Sequence, residues 1–187
     1  MNIDGWNGII SVSNVREEMP MNFTATMQNL AIGIIGGIYS SIVVSVIFYI
    51  LTELQNELIK AKDKIHPFYS LAITYRIKEI GGWDYKNYAR ENCEKAIDIF
   101  SRYDPKEFRY EVAEAMNYAN EVLQNPDYFK DVWDDQTVEL CGKDAEECIK
   151  RIENCEKKFR KMFVRRVVRN KILITMTIIF FIILICA

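Results

Sequence analysis

Apolar residues form two uncharged runs, one on each side of a long segment with helical periodicity. Leu30 to Leu51 contains 22 residues without a charge, and Ile172 to Ala187 contains 16 more. A bilayer core about 30 Å thick needs roughly 20 helical residues, so the first run is long enough to cross it. Basic side chains just before the second, shorter run can snorkel and so lengthen its span. We therefore predict one transmembrane helix at each run.

Between these runs, apolar residues recur at spacings of three and four, which predicts amphipathic helices. The pattern predicts helices over residues 30–65, 68–80, 85–100 and 105–122. Pro67 is expected to end the first helix, and Asp104 is expected to cap the fourth, with Pro105 at its first position. Residues 127–141 have the weakest periodicity and are interpreted as a short helix and a loop.

The last helix has the clearest pattern in the sequence. Asp144 and Glu147 have the spacing of a capping box, and Gly142 just before them permits a turn. A heptad seam follows, formed by Ala145, Cys148, Ile152, Cys155, Phe159 and Met162. If this helix continues unbroken into the second apolar run, it has about 44 residues and a length of about 66 Å. The expected fold is all-α, with two transmembrane helices continuous with a cytosolic antiparallel helical bundle.

Basic residues near the two runs predict the orientation of the chain. Arg16 is the single basic residue before the first run, whereas Lys60, Lys62 and Lys64 follow it and eight basic residues between 157 and 171 precede the second run. The positive-inside rule then places the middle of the chain in the cytosol. The expected organisation is an extracytoplasmic segment (1–29), a transmembrane helix (30–51), a cytosolic helical bundle (52–170) and a second transmembrane helix (171–187). The protein would thus reside in the plasma (inner) membrane with both termini outside.

A cleaved signal peptide is the alternative interpretation of the first run. The run exceeds the 7 to 15 apolar residues typical of such peptides, and the preceding segment is poor in basic residues.

The cysteines are expected to be free thiols, because a cytosolic bundle lies in a reducing compartment. Cys141, Cys148 and Cys155 are spaced seven residues apart, which separates them by about 10.5 Å along a helix. Ligands of one zinc ion must lie much closer together, so one chain cannot hold a metal with these three. Small core side chains are the expected role, and a site shared between chains is the alternative.

The sequence gives no support to catalysis. His66 is the single histidine, which excludes the His-Glu-x-x-His zinc motif and paired Glu-x-x-His sites within one chain. A glycine-rich loop ending in Lys-Ser or Lys-Thr is also missing from the sequence, so nucleotide hydrolysis is not expected. We predict a non-enzymatic protein without cofactor or metal.

Charge is arranged in blocks, although the net charge of the whole chain is only -2. Residues 81–149 carry a net charge of -9, and residues 150–170 carry +7. The basic collar consists of Lys157, Lys158, Arg160, Lys161, Arg165, Arg166 and Arg169. Each of these side chains would attract anionic lipid headgroups by about 1 kcal/mol, and an acidic ligand such as a nucleotide or nucleic acid is the less expected alternative. The acidic end is either simply solvated or docks a basic cytosolic protein.

Four aromatic residues in expected turns suggest contacts with other proteins. Trp83, Tyr128, Phe129 and Trp133 fall in expected turns, where aromatic side chains anchor partners unless they pack into the core.

In the first apolar run, every fourth residue from position 33 to 45 is small; Gly33, Gly37, Ser41 and Ser45 form this small-residue row. Such rows let transmembrane helices approach closely, here either the second span of the same chain or another copy. We expect a homo-oligomeric membrane effector or pore-forming protein controlled by its cytosolic domain. The alternative is an accessory or adaptor subunit of a larger membrane complex.

Overall fold

The computed structural model describes residues 23–77 and 84–186, and every regular element in those two ranges is helical. The α-helices are α1 (Phe23–Lys64), α2 (His66–Ile77), α3 (Tyr85–Ser101), α4 (Tyr110–Val122), α5 (Asp135–Lys157), α6 (Phe159–Val168) and α7 (Lys171–Cys186). Short 3-10 helices over Pro105–Glu107 and Pro126–Phe129 flank α4. The predicted all-α class is confirmed.

The first helix has two halves with different surroundings. It contains 42 residues, which corresponds to about 63 Å. Its apolar N-terminal half is long enough to cross a membrane, and only 6% of its most apolar 18-residue window is buried. Its C-terminal half places Leu54, Leu58 and Ala61 in the core of the bundle. The prediction of one helix joining the apolar run to the bundle is therefore confirmed.

The bundle is organised around α2, which packs against both α3 and α5, while α4 packs on the other part of α5. Its largest fully buried side chains include Phe68, Met116 and Ile152. Five positions of the predicted heptad seam are buried, namely Ala145, Cys148, Ile152, Cys155 and Met162. Phe159, the sixth, is partly buried against the same core.

The start of α5 differs from the predicted one. Asp134 caps this helix by accepting a hydrogen bond from the Thr137 backbone N–H at 2.7 Å. Asp144 instead lies inside α5, where its carboxylate accepts a hydrogen bond from the Tyr128 hydroxyl. Gly142 is also inside α5, and a Cβ there would lie 2.3 Å from the Cβ of Tyr75. The glycine therefore permits a close approach of α2 and α5, and the turn predicted from it is wrong.

The fourth helix starts five residues later than predicted. Pro105 begins a 3-10 helix capped by Asp104, whose carboxylate accepts from the Lys106 backbone N–H at 2.9 Å. The α-helix begins only at Tyr110, which has a φ of 52°. This left-handed conformation is costly for a residue with a side chain, so the packing around Tyr110 must maintain it.

The C-terminal part of the chain contradicts the prediction of one unbroken helix. The chain leaves helical geometry near Lys158 and again before Lys171, and α7 is bent by 49° relative to α6. Asn170 restarts the helix, because its side-chain oxygen accepts from the Leu173 backbone N–H at 3.1 Å. Within the described residues, α1 alone is long and apolar enough to cross a membrane as a single helix, and α7 qualifies only together with α6. The two-span arrangement is therefore not confirmed.

Candidate functional site

The small-residue row lies on an uncovered face of α1. All four of its residues are exposed, and a Cβ added at Gly33 or Gly37 would meet no described atom within 4 Å. The Ser41 hydroxyl donates to the Gly37 carbonyl at 2.9 Å, and the Ser45 hydroxyl donates to the Ser41 carbonyl at 2.8 Å. Both hydroxyl donors are therefore satisfied within α1. The side chains of the row are short, and no described part of the chain packs against Gly33 or Gly37.

The last helix packs on another face of α1. Tyr39 forms a hydrogen bond with Thr177 at 2.9 Å, and its ring stacks on Phe180 with a centroid distance of 4.2 Å. With about 100° of rotation per residue, the half-buried positions around Tyr39 point away from the centre of the row. Of the two partners expected for the row, the second span of the same chain is therefore not the one that covers it.

Where the apolar half of α1 ends, an ion pair joins α1 to α6. The Arg166 guanidinium donates to both Glu57 carboxylate oxygens, with Nη2–Oε2 at 2.7 Å and Nη1–Oε1 at 3.1 Å. The two side chains are only 7% and 6% exposed. Two-point geometry gives such a pair directional strength, and burial makes the loss of either partner costly.

The segment before α4 closes over this ion pair. The Arg109 backbone N–H donates to Glu57 Oε2 at 3.3 Å, and the Arg109 carbonyl accepts from Arg166 Nη2 at 3.4 Å. The Arg109 side chain pairs with Glu53 at 3.0 Å. The Arg166 guanidinium carbon lies 5.7 Å from the centroid of the Tyr110 ring. These contacts explain how the left-handed backbone at Tyr110 is maintained.

The basic collar is divided between paired and solvent-facing side chains. Arg166 pairs with Glu57, and Arg165 pairs with Glu111 on α4. The others are exposed and have no ion-pair partner in the described part of the chain: Lys157, Lys158, Arg160, Lys161 and Arg169. Two of the seven predicted lipid-facing cations thus hold α6 to the rest of the molecule.

The proposed partner-anchor aromatics also divide. Tyr128 and Trp133 are buried, at 2% and 4% exposure, and pack on each other, so for these two the alternative of packing in the core is confirmed. Burial and the hydrogen bond to Asp144 raise the pKa of Tyr128. Phe129 is 62% exposed, as an anchor would be. Trp83 lies outside the described residues.

Four thiols of the bundle are buried and not disulfide-bonded, namely Cys93, Cys141, Cys148 and Cys155. A hydrogen bond with Cys93 and burial raise the pKa of Cys141, and burial raises the pKa of Cys148 to about 12. Both thiols are therefore protonated at neutral pH and poor nucleophiles. Among residues 23–77 and 84–186, no three His, Cys, Asp or Glu side chains are grouped so as to hold a metal ion.

Sequence reasoning missed Glu53, Glu57, Arg109 and Tyr110. A usable signal was present, because Glu53 and Glu57 lie four residues apart directly after the first apolar run and so share one face of α1. A carboxylate at this position needs a cationic partner if the bundle buries it. The identity of that partner was not visible, since Arg166 is 109 residues away in sequence.

Comparison with known proteins leaves the class of this protein undefined. The chain matches no protein-family model, no curated protein and no solved structure. A functional conclusion therefore has to come from the geometry of its own residues.

Proposed function

We propose that this protein is a two-span membrane effector that self-associates through the small-residue row of α1 and is controlled by its cytosolic bundle. The observation that carries the proposal is the position of α7, which packs on another face and leaves the row uncovered. In lipid, small residues four apart promote helix association by letting backbones approach closely. A second copy fits this surface, because the same row on two copies can pack against itself around a twofold axis.

The second span is formed by α7 together with the end of α6. Sixteen residues in α7 are few for a bilayer, and the basic residues of α6 lie at the level where its apolar run begins. The Tyr39–Thr177 hydrogen bond and the Tyr39–Phe180 stack then join the two spans inside the membrane.

Control by the bundle follows from the continuity of α1. Leu54, Leu58 and Ala61 fix its C-terminal half in the bundle core, and the same rigid helix carries the row. The Glu57–Arg166 pair adds a direct link from α1 to the helix that leads into α7. A rearrangement of the bundle therefore changes the tilt of both spans together, which is how an effector of this design would alter the membrane.

An adaptor subunit is the second candidate, supported by the exposed apolar side chains of Phe129 (62%) and Val132 (82%) at the acidic end of the bundle. In that case the small-residue row would dock a foreign helix and the protein would be monomeric by itself.

Native mass spectrometry of the full chain in detergent tests the proposal, with Gly37→Leu as the disruptive variant. Gly36→Leu is the matched control, because it removes a neighbouring helix glycine with equally open surroundings and lies about 100° away around the helix. We expect oligomers for the wild type and Gly36→Leu and monomers for Gly37→Leu. A wild-type monomer, or equal assembly of all three proteins, would contradict self-association through the row.

A further inference from the structure

A small cavity opens next to the Glu57–Arg166 pair, between α1, the start of α4 and the break between α6 and α7. Its volume is 150 Å³, which is large enough for several water molecules. The cavity is lined by three arginines and one glutamate, Arg109, Arg166, Arg169 and Glu53, together with Tyr49 and Tyr110. The lining is therefore net positive, even though Glu57 pairs with Arg166 beside it.

Two of these arginines retain hydrogen-bond donors without acceptors. The Arg166 side chain is 7% exposed, and its buried Nε–H has no partner within the described residues. Arg169 has neither an ion-pair partner nor a side-chain hydrogen bond in that same part of the chain. The Arg166 Nε–H is enclosed by protein, so the unpaired Arg169 is the side chain that an anionic acceptor bound in the cavity would stabilise.

The cavity lies at the level where charge begins on both candidate spans. On α1, Tyr49 and Glu53 lie on the two sides of Leu51, the last residue of the apolar run. On the C-terminal side, Arg166 and Arg169 directly precede the apolar run of α7. Tyrosine side chains are enriched at this depth of a membrane protein, where the phosphates of the lipids are found.

We propose that this cavity binds the phosphate of an anionic lipid headgroup. Arginine guanidinium groups match the geometry of phosphate oxygens and form charge-assisted hydrogen bonds with them. Arg169, which has no partner within the described residues, supplies these bonds, while Arg166 keeps its pair with Glu57. The bound lipid thereby lies between α1, which contributes Tyr49 and Glu53 to the lining, and the segment from Arg166 to Asn170.

This site rests on the proposed membrane-spanning arrangement. One experiment tests lipid binding in the cavity and the proposed self-association independently. The full-length protein is extracted from bilayers of mixed phosphatidylglycerol and phosphatidylcholine, and native mass spectrometry measures both the retained lipids and the number of copies. The variants are Arg169→Gln, which removes a cavity cation without a protein partner, and Arg160→Gln, which removes an exposed cation near the start of α6 that does not line the cavity.

We expect the wild type to retain phosphatidylglycerol selectively. Loss of one cation should lower that selectivity about five-fold in Arg169→Gln, and Arg160→Gln should keep the wild-type ratio. An equal decrease in both variants, or no selectivity in the wild type, would overturn the site and attribute binding to the charge of the collar as a whole. Displacement of the lipid by an equal concentration of inorganic phosphate would also overturn it, in favour of a soluble anion.

The copy number in the same spectra reports on the proposed function independently. If the lipid ratio changes and the copy number does not, the result bears only on lipid binding in the cavity. If the wild type is monomeric and still retains phosphatidylglycerol selectively, the result contradicts only self-association through the small-residue row. Circular dichroism of each variant verifies that the helical fold is retained.

Discussion

Arg166 on α6 and Glu57 on α1 form a two-point ion pair that is more than nine-tenths buried and lies where the apolar half of α1 meets the bundle. Burial of this kind is uncommon, because Glu and Arg side chains are almost never fully buried unless they are paired. The pair connects the helix that carries the small-residue row with the helix that leads into α7. Its contribution to the stability of the fold can be measured with single and double variants.

Replacing Glu57 by glutamine should destabilise the bundle strongly. Arg166 would keep its buried charge without compensation, which typically costs about 3 to 5 kcal/mol of unfolding free energy. Denaturant titration in detergent, followed by circular dichroism, measures this loss. Glu53→Gln is the control, because its partner Arg109 has a 57% exposed side chain and such pairs contribute about 1 kcal/mol or less.

The double variant Glu57→Leu with Arg166→Met tests whether the loss in Glu57→Gln comes from an uncompensated buried charge. Replacing both buried charges with apolar side chains removes the desolvation cost together with the attraction, so stability should return close to the wild-type value. A double variant as unstable as Glu57→Gln would show that the bonds of both side chains to the Arg109 backbone, and not their mutual pairing, carry the stabilisation.

Gly142→Ala should destabilise the contact between α2 and α5. The added Cβ would lie 2.3 Å from the Tyr75 Cβ, which is fixed close to the backbone of α2, so the two helices must separate. Overpacking of this kind costs about 1 to 3 kcal/mol, of which better helix propensity returns at most about 1 kcal/mol. Thermal unfolding monitored by circular dichroism measures the difference. Gly36→Ala, in open surroundings outside the small-residue row, should cause no loss, and an equal loss in both variants would contradict this explanation.

The stability of the bundle should decrease at alkaline pH because of its buried thiols. Burial raises the pKa of Cys148 from 9.0 to about 12, so the folded protein keeps a proton that the unfolded chain releases. The stabilisation is fully present below pH 9 and is lost as the pH rises toward 12, by up to about 1.4 kcal/mol per pH unit for each such thiol. Unfolding free energies measured between pH 8 and 10 should decrease less steeply for Cys148→Ala than for the wild type. Identical slopes would exclude this thiol as a cause.

The orientation of the chain can be tested with a membrane-impermeant maleimide on intact cells. Lys130 has a 53% exposed side chain between the second 3-10 helix and α5, so Lys130→Cys samples the bundle. Ala187→Cys samples the C-terminus, and both are made together with Cys186→Ser. We expect labelling of residue 187 before lysis and of residue 130 only after lysis, whereas labelling of both on the same side would contradict the two-span topology.

Sequence periodicity predicted the helices well where apolar spacing alone determines them. The seam from Ala145 to Met162 is buried because residues three and four apart share one face of a helix regardless of what covers that face. The continuity of α1 was predictable for the same reason, since one stripe extends from the apolar run through Leu54 and Leu58.

Boundaries and long-range pairs were not predictable in the same way. Asp144 has the spacing of a capping box, yet Asp134 caps α5, because the choice depends on where Tyr128 and Thr137 lie in the folded chain. Gly142 was interpreted as a turn residue. A glycine is needed there because Tyr75, 67 positions away in sequence, leaves no space for a Cβ. The candidate site depends on contacts of this second kind, which explains why the Glu57–Arg166 pair was missed.

The uninterrupted geometry of α1 has a consequence for how this protein tolerates change. The 42 residues of the helix keep one rotational phase from Phe23 to Lys64, so the azimuth of the small-residue row is set by the docking of the other half in the bundle. Inserting a single residue between Leu51 and Leu54 would turn the row by about 100° without altering either half. The direction in which the row faces relative to the bundle therefore depends on the number of residues between them, and not on the composition of either part.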